Sequence, residues 1–270
     1  MARLYEAKGR PSFNPLIAHV ADADAARRIA VLDQRAEALM SAFWPGPLTL
    51  VAPVRDTGAV CGLARAGLDT VAIRAPAHAL ANAVLAAFGG PVAAPSANRS
   101  GRPSPTTFAD AIAETGSAAS AALDGGPCEV GLESTVISLL DGAARLLRPG
   151  AVTRDQIEAL IGPLAEAQAD ARRSPGRLAR HYAPAAPVRL NAITPRPGEA
   201  FLAFGPAAPG ALVFNLSPAG DLREAAANLF AMLRAADARS PVAIAVAPIP
   251  EAGLGEAIND RLRRAAGHVG

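Results

Sequence analysis

Short apolar runs alternate with longer amphipathic segments along this chain, and the pattern predicts an α/β protein. Apolar and alternating runs predict strands at 16–20, 48–52, 68–76, 131–139 and 144–150, with Asp141-Gly142 closing a hairpin between the last two. Periodic Ala- and Leu-rich segments predict helices at 22–39, 77–88, 108–115 and 154–161, the last two capped by Thr107 and Thr153. Because strands and helices do not alternate strictly, we expect a mixed, twisted sheet.

The pattern divides the chain into a first domain at 1–162, a linker at 163–186 and a second domain at 187–270. The linker lacks apolar periodicity, contains Ser174-Pro175-Gly176 and leads into Tyr182. The second domain has predicted strands at 188–190, 201–204, 211–215 and 242–246 and predicted helices at 222–236 and 255–266. It is therefore expected to be a smaller α/β domain, and few of its polar groups converge.

The composition indicates a substantial core and no membrane association. Hydrophobic residues make up 51% of the chain, and the mean hydropathy is +0.22. No apolar run approaches the roughly 18 residues of a membrane span, and the first residues lack the apolar stretch of a signal peptide. The two cysteines are too few for a disulfide framework and lack metal-ligand spacing. We therefore expect a soluble cytoplasmic protein without a membrane partner.

The charges are nearly balanced, but the choice of basic residue is unusual. The net charge is +2, which is weak for a protein that binds a nucleic-acid backbone. Lys8 is the only lysine among 26 basic residues. A lysine in such an arginine-rich chain is a candidate for a site that needs a compact ammonium group rather than a planar guanidinium, although chance retention of one lysine accounts for it as well.

Residues 92–107 open from a short apolar run into a loop of prolines, small hydroxyls, an amide and two arginines. Strand ends that open into such loops are where α/β proteins commonly place ligands. Ser96 and Ser104 offer short hydrogen-bonding groups in this loop, although ordinary turn chemistry accounts for such residues equally well. His19 is similarly open to two interpretations, as a packed strand residue or as a ligand.

Cations and hydroxyl groups gather in the first domain without a nucleophile and base pair. The cations are Lys8, Arg10, Arg74 and Arg148, and the hydroxyls are Thr70, Ser96, Ser104 and Ser134. Phosphate-binding glycine loops of the Walker or dinucleotide type are absent from the sequence, as are zinc-protease and serine-hydrolase motifs. Such a set favours a site that holds phosphates and small polar metabolites and acts by positioning and charge stabilisation.

Six blocks of sequence resemble the signature of the YrdC-like family in order and spacing. They are Lys8-Gly9-Arg10-Pro11 with His19, Trp44-Pro45-Gly46-Pro47-Leu48-Thr49, Thr70-Val71-Ala72-Ile73-Arg74, Ala94-Pro95-Ser96-Ala97-Asn98, Gly131-Leu132-Glu133-Ser134-Thr135-Val136 and Leu147-Arg148-Pro149-Gly150. The linker, with His181-Tyr182-Ala183-Pro184, and the second domain resemble the longer, two-domain branch of that family. The resemblance implies a YrdC-like twisted mixed sheet with helices, followed by a smaller Rossmann-like α/β domain.

The resemblance also implies an activity. Members of this branch combine L-threonine, bicarbonate or carbon dioxide, and ATP into threonylcarbamoyl-AMP and pyrophosphate, with Mg²⁺ accompanying ATP and no metal site on the protein. A downstream threonylcarbamoyl-transferase complex uses the product to modify tRNA. By resemblance, ATP would contact Arg10, Asn14, Thr70, Ser96, Ser104, Arg148 and Tyr182. Threonine would contact His19, Arg74, Ser134 and the backbone at Ala94, and Lys8 and Arg10 would stabilise the transition state.

The sequence departs from the family pattern at its start. Family members have a helix, a strand and a Thr-Glu-Thr turn ahead of the helix that ends in Lys8-Gly9-Arg10, whereas this sequence begins inside that helix. If the chain is truncated, we expect a central strand to be absent, with weak or no activity. The competing hypotheses are an RNA-binding YrdC-like module, an inactive truncated copy, and a carbamoyl-adenylate enzyme of the hydrogenase-maturation type. The last would need zinc-finger cysteines, which this chain lacks.

Overall fold

The structure is a computed structural model that describes residues 1–140, 142–165 and 181–267. Its contacts form two compact units. The first combines Met1–Pro95 with the described part of Glu133–Arg177, and the second combines Ser96–Leu132 with the described part of Leu178–Gly270. Residues 96–132 therefore pack with the second unit, although they precede the predicted boundary at 162. The predicted linker residues Ser174-Pro175-Gly176 lie outside the described residues.

A six-stranded mixed sheet forms the centre of the first unit. Its strands are β1 (Ile17–His19), β2 (Leu48–Pro53), β3 (Thr70–Arg74), β4 (Val92–Ala93), β5 (Thr135–Ser138) and β6 (Arg145–Arg148). They lie in the order β4-β1-β3-β2-β5-β6; the β1–β3 and β2–β5 pairs are parallel and the other three pairs are antiparallel. The predicted mixed sheet is confirmed. Neighbouring strands of this sheet are hydrogen-bonded to each other, and the expectation that a truncated chain lacks a central strand stays a prediction.

One face of this sheet carries the hydrophobic core of the first unit. Leu48, Leu50 and Ala52 alternate along β2 toward that face and are almost completely buried. The helices of this unit include α1 (Ala2–Lys8), α2 (Ala23–Ile29), α3 (Gln34–Phe43), α4 (Ala79–Phe88) and α6 (Arg154–Ile161). Of these, α2, α3 and α6 supply buried apolar residues to the same core. The opposite face of the sheet does not belong to this core.

The predicted helix at 22–39 is interrupted and forms α2 and α3. Asp22 caps α2 and Asp33 caps α3. Each carboxylate accepts a hydrogen bond from the backbone N–H three residues further along the chain. Between the helices Ala30 is extended and pairs with Val54, just after β2. The sequence pattern predicts one helix here because the apolar periodicity continues across the break between the two. The second aspartate cap was the signal that separates them.

The second unit contains an all-parallel sheet with flanking helices. Its elements are α5 (Phe108–Thr115), β7 (Val188–Arg189), β8 (Glu199–Ala203), β9 (Val213–Asn215), α7 (Leu222–Asp237), β10 (Ala243–Val246) and α8 (Leu254–Ala265). The strand order is β7-β10-β8-β9, and each neighbouring pair is parallel. The predicted second α/β domain is confirmed. Among the described helices of both units, none is long and apolar enough to cross a membrane.

Gly150 permits a close approach between the end of β6 and the start of β5. A Cβ at this position would lie 2.4 Å from the Thr135 backbone nitrogen and 2.5 Å from the Glu133 carbonyl oxygen. We expect Gly150→Ala to lower the free energy of unfolding by about 1–3 kcal/mol, the usual effect of overpacking. Gly62→Ala is the matched control, because a Cβ there meets no atom within 4 Å. Equal denaturation midpoints for the two variants would contradict this packing.

Candidate active site

The face of the six-stranded sheet opposite the core is polar. On β3, period-2 alternation places Thr70 and Arg74 on this face, and on β2 it places Thr49 there. Ser134 directly precedes β5, and His19 ends β1. A small apolar cluster lies among them, formed by Ile17, Val51, Ala72, Val136, Leu140 and Leu147. This face of the sheet therefore carries hydroxyl, imidazole and guanidinium groups around a buried apolar cluster.

Ser134 is the hydrogen-bonding centre of this face. Its hydroxyl oxygen lies 2.7 Å from Thr49 Oγ1 and accepts a hydrogen bond from Arg148 Nη2 at 3.1 Å. The Ser134 carbonyl oxygen accepts two more bonds from Arg148, from Nε at 3.1 Å and from Nη2 at 2.8 Å. All three side chains are buried. Because the bonds join groups on or beside β2, β5 and β6, they fix the direction of the Arg148 guanidinium.

Arg74 brings a second guanidinium to the same face. Its Nε donates a hydrogen bond of 2.9 Å to the carbonyl oxygen of Gly46. Burial, together with the positive charge of Arg148, lowers the pKa of Arg74 to about 10. A bound anion would counter both effects, since it stabilises the charged form of each arginine. Guanidinium groups bind carboxylates and phosphates in bidentate geometry, so this face is suited to an anionic ligand.

His19 lies beside Arg74 because the parallel β1–β3 pair places these two residues in register. Its Nδ1 is buried and has no hydrogen-bond partner among the described residues. Burial and the positive charge of Arg74 lower the pKa of His19 to about 4, against smaller opposing effects from the backbone of Ile17 and Val92. The imidazole is therefore neutral near pH 7. It offers a hydrogen bond without adding a third positive charge.

The turn after α1 carries the other predicted cations. Gly9 ends α1 in the left-handed conformation, with φ 57°, and Lys8 in the last turn of α1 is buried. Arg10 donates from Nε to the Asn14 carbonyl oxygen at 3.3 Å and from Nη2 to the Pro15 carbonyl oxygen at 2.9 Å. The Asn14 side chain is buried, and its Oδ1 lacks a hydrogen-bond partner among the described residues. The turn thus holds Lys8, Arg10 and Asn14 in a defined conformation.

The remaining predicted site residues are divided between the two units. Ala94, at the end of β4 in the first unit, donates its backbone N–H to the Ile17 carbonyl oxygen at 3.2 Å. Ser96 and Ser104 belong to the second unit, where Ser104 is buried. Their roles toward ATP stay predictions.

Tyr182, predicted as an ATP contact, is buried in the second unit. Its ring is 1% exposed and belongs to the hydrophobic core of the second unit. The ring centroid is 5.3 Å from that of Phe230, and the Arg261 guanidinium lies over the ring at 5.5 Å. Burial of this large aromatic ring contributes to the stability of that core. The predicted contact of Tyr182 with ATP stays a prediction.

The structure brings five of the predicted residues onto one sheet face: His19, Thr70, Arg74, Ser134 and Arg148. It also adds Thr49, which is completely buried and bonded to Ser134. Thr49 was not among the predicted site residues. Alternation along β2 was the signal that could have indicated Thr49, because it places this side chain on the face opposite to that of Leu48 and Leu50. Within the described ranges, no three His, Cys, Asp or Glu side chains gather into a group that could hold a metal ion.

The fold and this face together define an α/β protein with a mixed sheet that carries a polar, cationic face, and with a second, parallel α/β unit. The family described as "Telomere recombination" matches residues 1–150. The family described as "Threonylcarbamoyl-AMP synthase, C-terminal domain" matches residues 152–267. The chain belongs to the two-domain threonylcarbamoyl-AMP synthase family, as the YrdC-like resemblance implied.

Curated and structural relatives agree with this membership. The threonylcarbamoyl-AMP synthase of Bacillus subtilis is 39% identical, over 98% of this chain and 83% of the relative. That of Pyrococcus abyssi is 38% identical, over 98% of this chain and 84% of the relative. The crystal structure of Pyrococcus abyssi Sua5 complexed with L-threonine superposes with a TM-score of 0.90 and 37% identity, covering 99% of this chain and 84% of that one.

The low pKa of His19 predicts a stability change between pH 6.5 and 4. In this window the unfolded chain binds a proton at His19 that the folded chain does not, so stability falls as the pH drops. We expect a contribution of about 1.4 kcal/mol per pH unit at most. Unfolding free energies of the wild type and His19→Gln, measured at several pH values in this range, test it. Identical pH slopes for the two proteins would show that His19 is protonated as readily in the folded state as in the unfolded one.

Proposed function

We propose that this chain forms threonylcarbamoyl-AMP and pyrophosphate from L-threonine, bicarbonate or carbon dioxide, and ATP. The observation that carries the proposal is the sheet face of His19, Arg74, Ser134 and Arg148 in a chain that matches a threonine-bound relative over nearly its whole length. Family membership supplies the reaction, and this face supplies groups suited to its anionic substrates.

L-Threonine is the ligand proposed for Arg74. Its carboxylate would accept hydrogen bonds from the guanidinium and relieve the repulsion from Arg148. The Ser134 hydroxyl and the neutral imidazole of His19 can hydrogen-bond the polar atoms of the amino acid. The carbonyl of Ala94 can accept a hydrogen bond from the threonine amine. These contacts would leave the amine nitrogen directed toward the carboxyl carbon of bicarbonate or carbon dioxide.

The proposed chemistry consists of two steps. The threonine nitrogen attacks the carbon of carbon dioxide and loses a proton, which yields a carbamate; when bicarbonate is the source, one of its oxygens leaves as water. A carbamate oxygen then attacks the α-phosphorus of ATP, and the bond to pyrophosphate breaks. Lys8 and Arg10 would stabilise the negative charge that develops on the phosphates, and Arg148 would hold the nucleotide. Asn14, Thr70, Ser96, Ser104 and Tyr182 are proposed as further ATP contacts.

Magnesium is proposed to enter with ATP rather than at a protein site. The support for this is general chemistry, since Mg²⁺ is usually bound through substrate phosphates and one or two carboxylates rather than by an all-protein cage. When bound there, Mg²⁺ would neutralise phosphate charge as pyrophosphate departs. We further propose that the product passes to a threonylcarbamoyl-transferase complex acting on tRNA, and that the protein works in the cytoplasm.

The direct test is product formation by the purified chain. L-Threonine, bicarbonate, Mg²⁺ and ATP are mixed with the protein, and pyrophosphate and threonylcarbamoyl-AMP are followed by enzymatic coupling and mass spectrometry. We expect threonine-dependent pyrophosphate release in equal amounts with the adenylate. Omission of threonine is the control for simple ATP hydrolysis. Absence of the adenylate, or pyrophosphate release that ignores threonine, would refute the proposal.

Lys8→Met tests the proposed transition-state role of the only lysine. The side chain keeps its length but loses its charge, so we expect kcat to fall about tenfold or more. Arg3→Met is the matched control, since Arg3 is an exposed cation on the same helix. A Lys8→Met variant with wild-type kcat would remove Lys8 from the mechanism.

A further inference from the structure

A buried carboxylate in the second unit is surrounded by three arginines. The Glu114 side chain in α5 is only 3% exposed. Its Oε2 accepts the Arg99 backbone N–H at 3.1 Å, and its Oε1 lies 3.3 Å from Arg102 Nε and 3.1 Å from Arg234 Nη1. We call these four residues the Glu114 cluster.

The cluster joins the loop at 96–104 to helix α7. Arg234 comes from α7, and Arg99 and Arg102 come from the loop. Besides Glu114, Arg234 donates from Nη1 to the Pro103 carbonyl oxygen at 3.1 Å. One guanidinium group therefore holds both the carboxylate and the loop backbone directly before Ser104.

Other bonds complete the conformation of the same loop. The Asn98 amide donates to the carbonyl oxygens of Arg99 and Arg102, at 2.8 and 3.0 Å. The Thr115 hydroxyl donates to the Ala97 carbonyl oxygen at 2.9 Å. The Ala183 N–H donates to the Gly101 carbonyl oxygen at 2.8 Å. The loop is thus fixed along its whole length by groups of the second unit.

Charge and burial argue that the Glu114 cluster does more than stabilise the fold. Burial alone would raise the pKa of Glu114, but the Arg99 amide and the guanidiniums of Arg234 and Arg102 together hold it below the ordinary value. Glu114 is therefore ionised at neutral pH. Replacing a buried ion pair by apolar residues is often neutral or stabilising, so such a pair is better explained by a geometry that it enforces.

We propose that Arg234 is a positioning residue for ATP, which holds the loop at 96–104 in the conformation that presents Ser96 and Ser104 to the nucleotide. This inference rests on the proposed function, in which the loop contacts ATP. It assigns to the C-terminal part of the chain a task in substrate binding that its own few polar groups do not suggest.

Arg234→Met removes the charge and the guanidinium fork while keeping a long side chain. We expect the KM for ATP to rise about tenfold with a much smaller change in kcat, as for the loss of a contact made in both ground and transition states. L-Threonine affinity, measured by calorimetry without ATP, should stay at the wild-type value because the threonine ligands are in the first unit. Arg223→Met, which replaces an exposed arginine of the same helix, is the control.

Two further variants keep the test decisive. Arg234→Lys should recover part of the ATP affinity, since an ammonium group keeps the positive charge opposite Glu114 but lacks the planar, pre-organised donors of a guanidinium. Glu114→Gln should raise the KM for ATP, and its combination with Arg234→Met should be less than additive. If Arg234→Met does not fold, Arg234→Lys and Glu114→Gln carry the same comparison.

A thermal denaturation midpoint lowered by Arg234→Met, with a wild-type KM for ATP, would overturn the inference and leave Arg234 a purely structural residue. Direct binding of a non-hydrolysable ATP analogue separates this failure from that of the proposed function. A wild type that binds the analogue but makes no adenylate would refute the function alone. Equal analogue affinities of wild type and Arg234→Met would refute the positioning role alone.

Discussion

The electrostatic relation between Arg74 and Arg148 is the constraint on which the candidate site depends. Two like charges reach one face of one sheet, and burial together with the charge of Arg148 lowers the pKa of Arg74 to about 10. The arrangement persists because each guanidinium is held by the protein backbone, Arg74 by Gly46 and Arg148 by Ser134. A face organised in this way favours an anionic ligand before any ligand arrives, which is the preorganisation that catalysis by positioning requires.

The fold enforces this constraint through its two-sided sheet. Leucine, isoleucine and valine fill one face against α2, α3 and α6, so the register of the strands cannot slip without exposing the core. That same register sets Arg74 beside His19 and brings Thr49 to Ser134. The polar site is therefore specified by the apolar residues behind it.

Much of this could be predicted from sequence, and the failures have physical causes. Alternation and turn residues gave the mixed sheet, and the motif blocks identified the family and the residues of the sheet face. A single helix was predicted at 22–39 because the apolar periodicity continues across the break between α2 and α3, although Asp33 caps the second of them. Thr49 was missed because alternation along β2 assigns it to one face of the sheet, but its hydrogen bond to Ser134 joins segments that are distant in sequence. The placement of Tyr182 in a core, and of residues 96–132 with the second unit, depends on contacts between distant segments that local patterns do not encode.

The most direct test of the account is whether Arg74 recognises a carboxylate. Calorimetry would compare L-threonine with L-threoninol, which lacks the carboxylate, on the wild type and on Arg74→Met. We expect the wild type to bind threonine at least about tenfold more tightly than threoninol, and Arg74→Met to lose this preference by binding threonine more weakly. Equal preference in both proteins would contradict the central claim, because the carboxylate would then be recognised elsewhere.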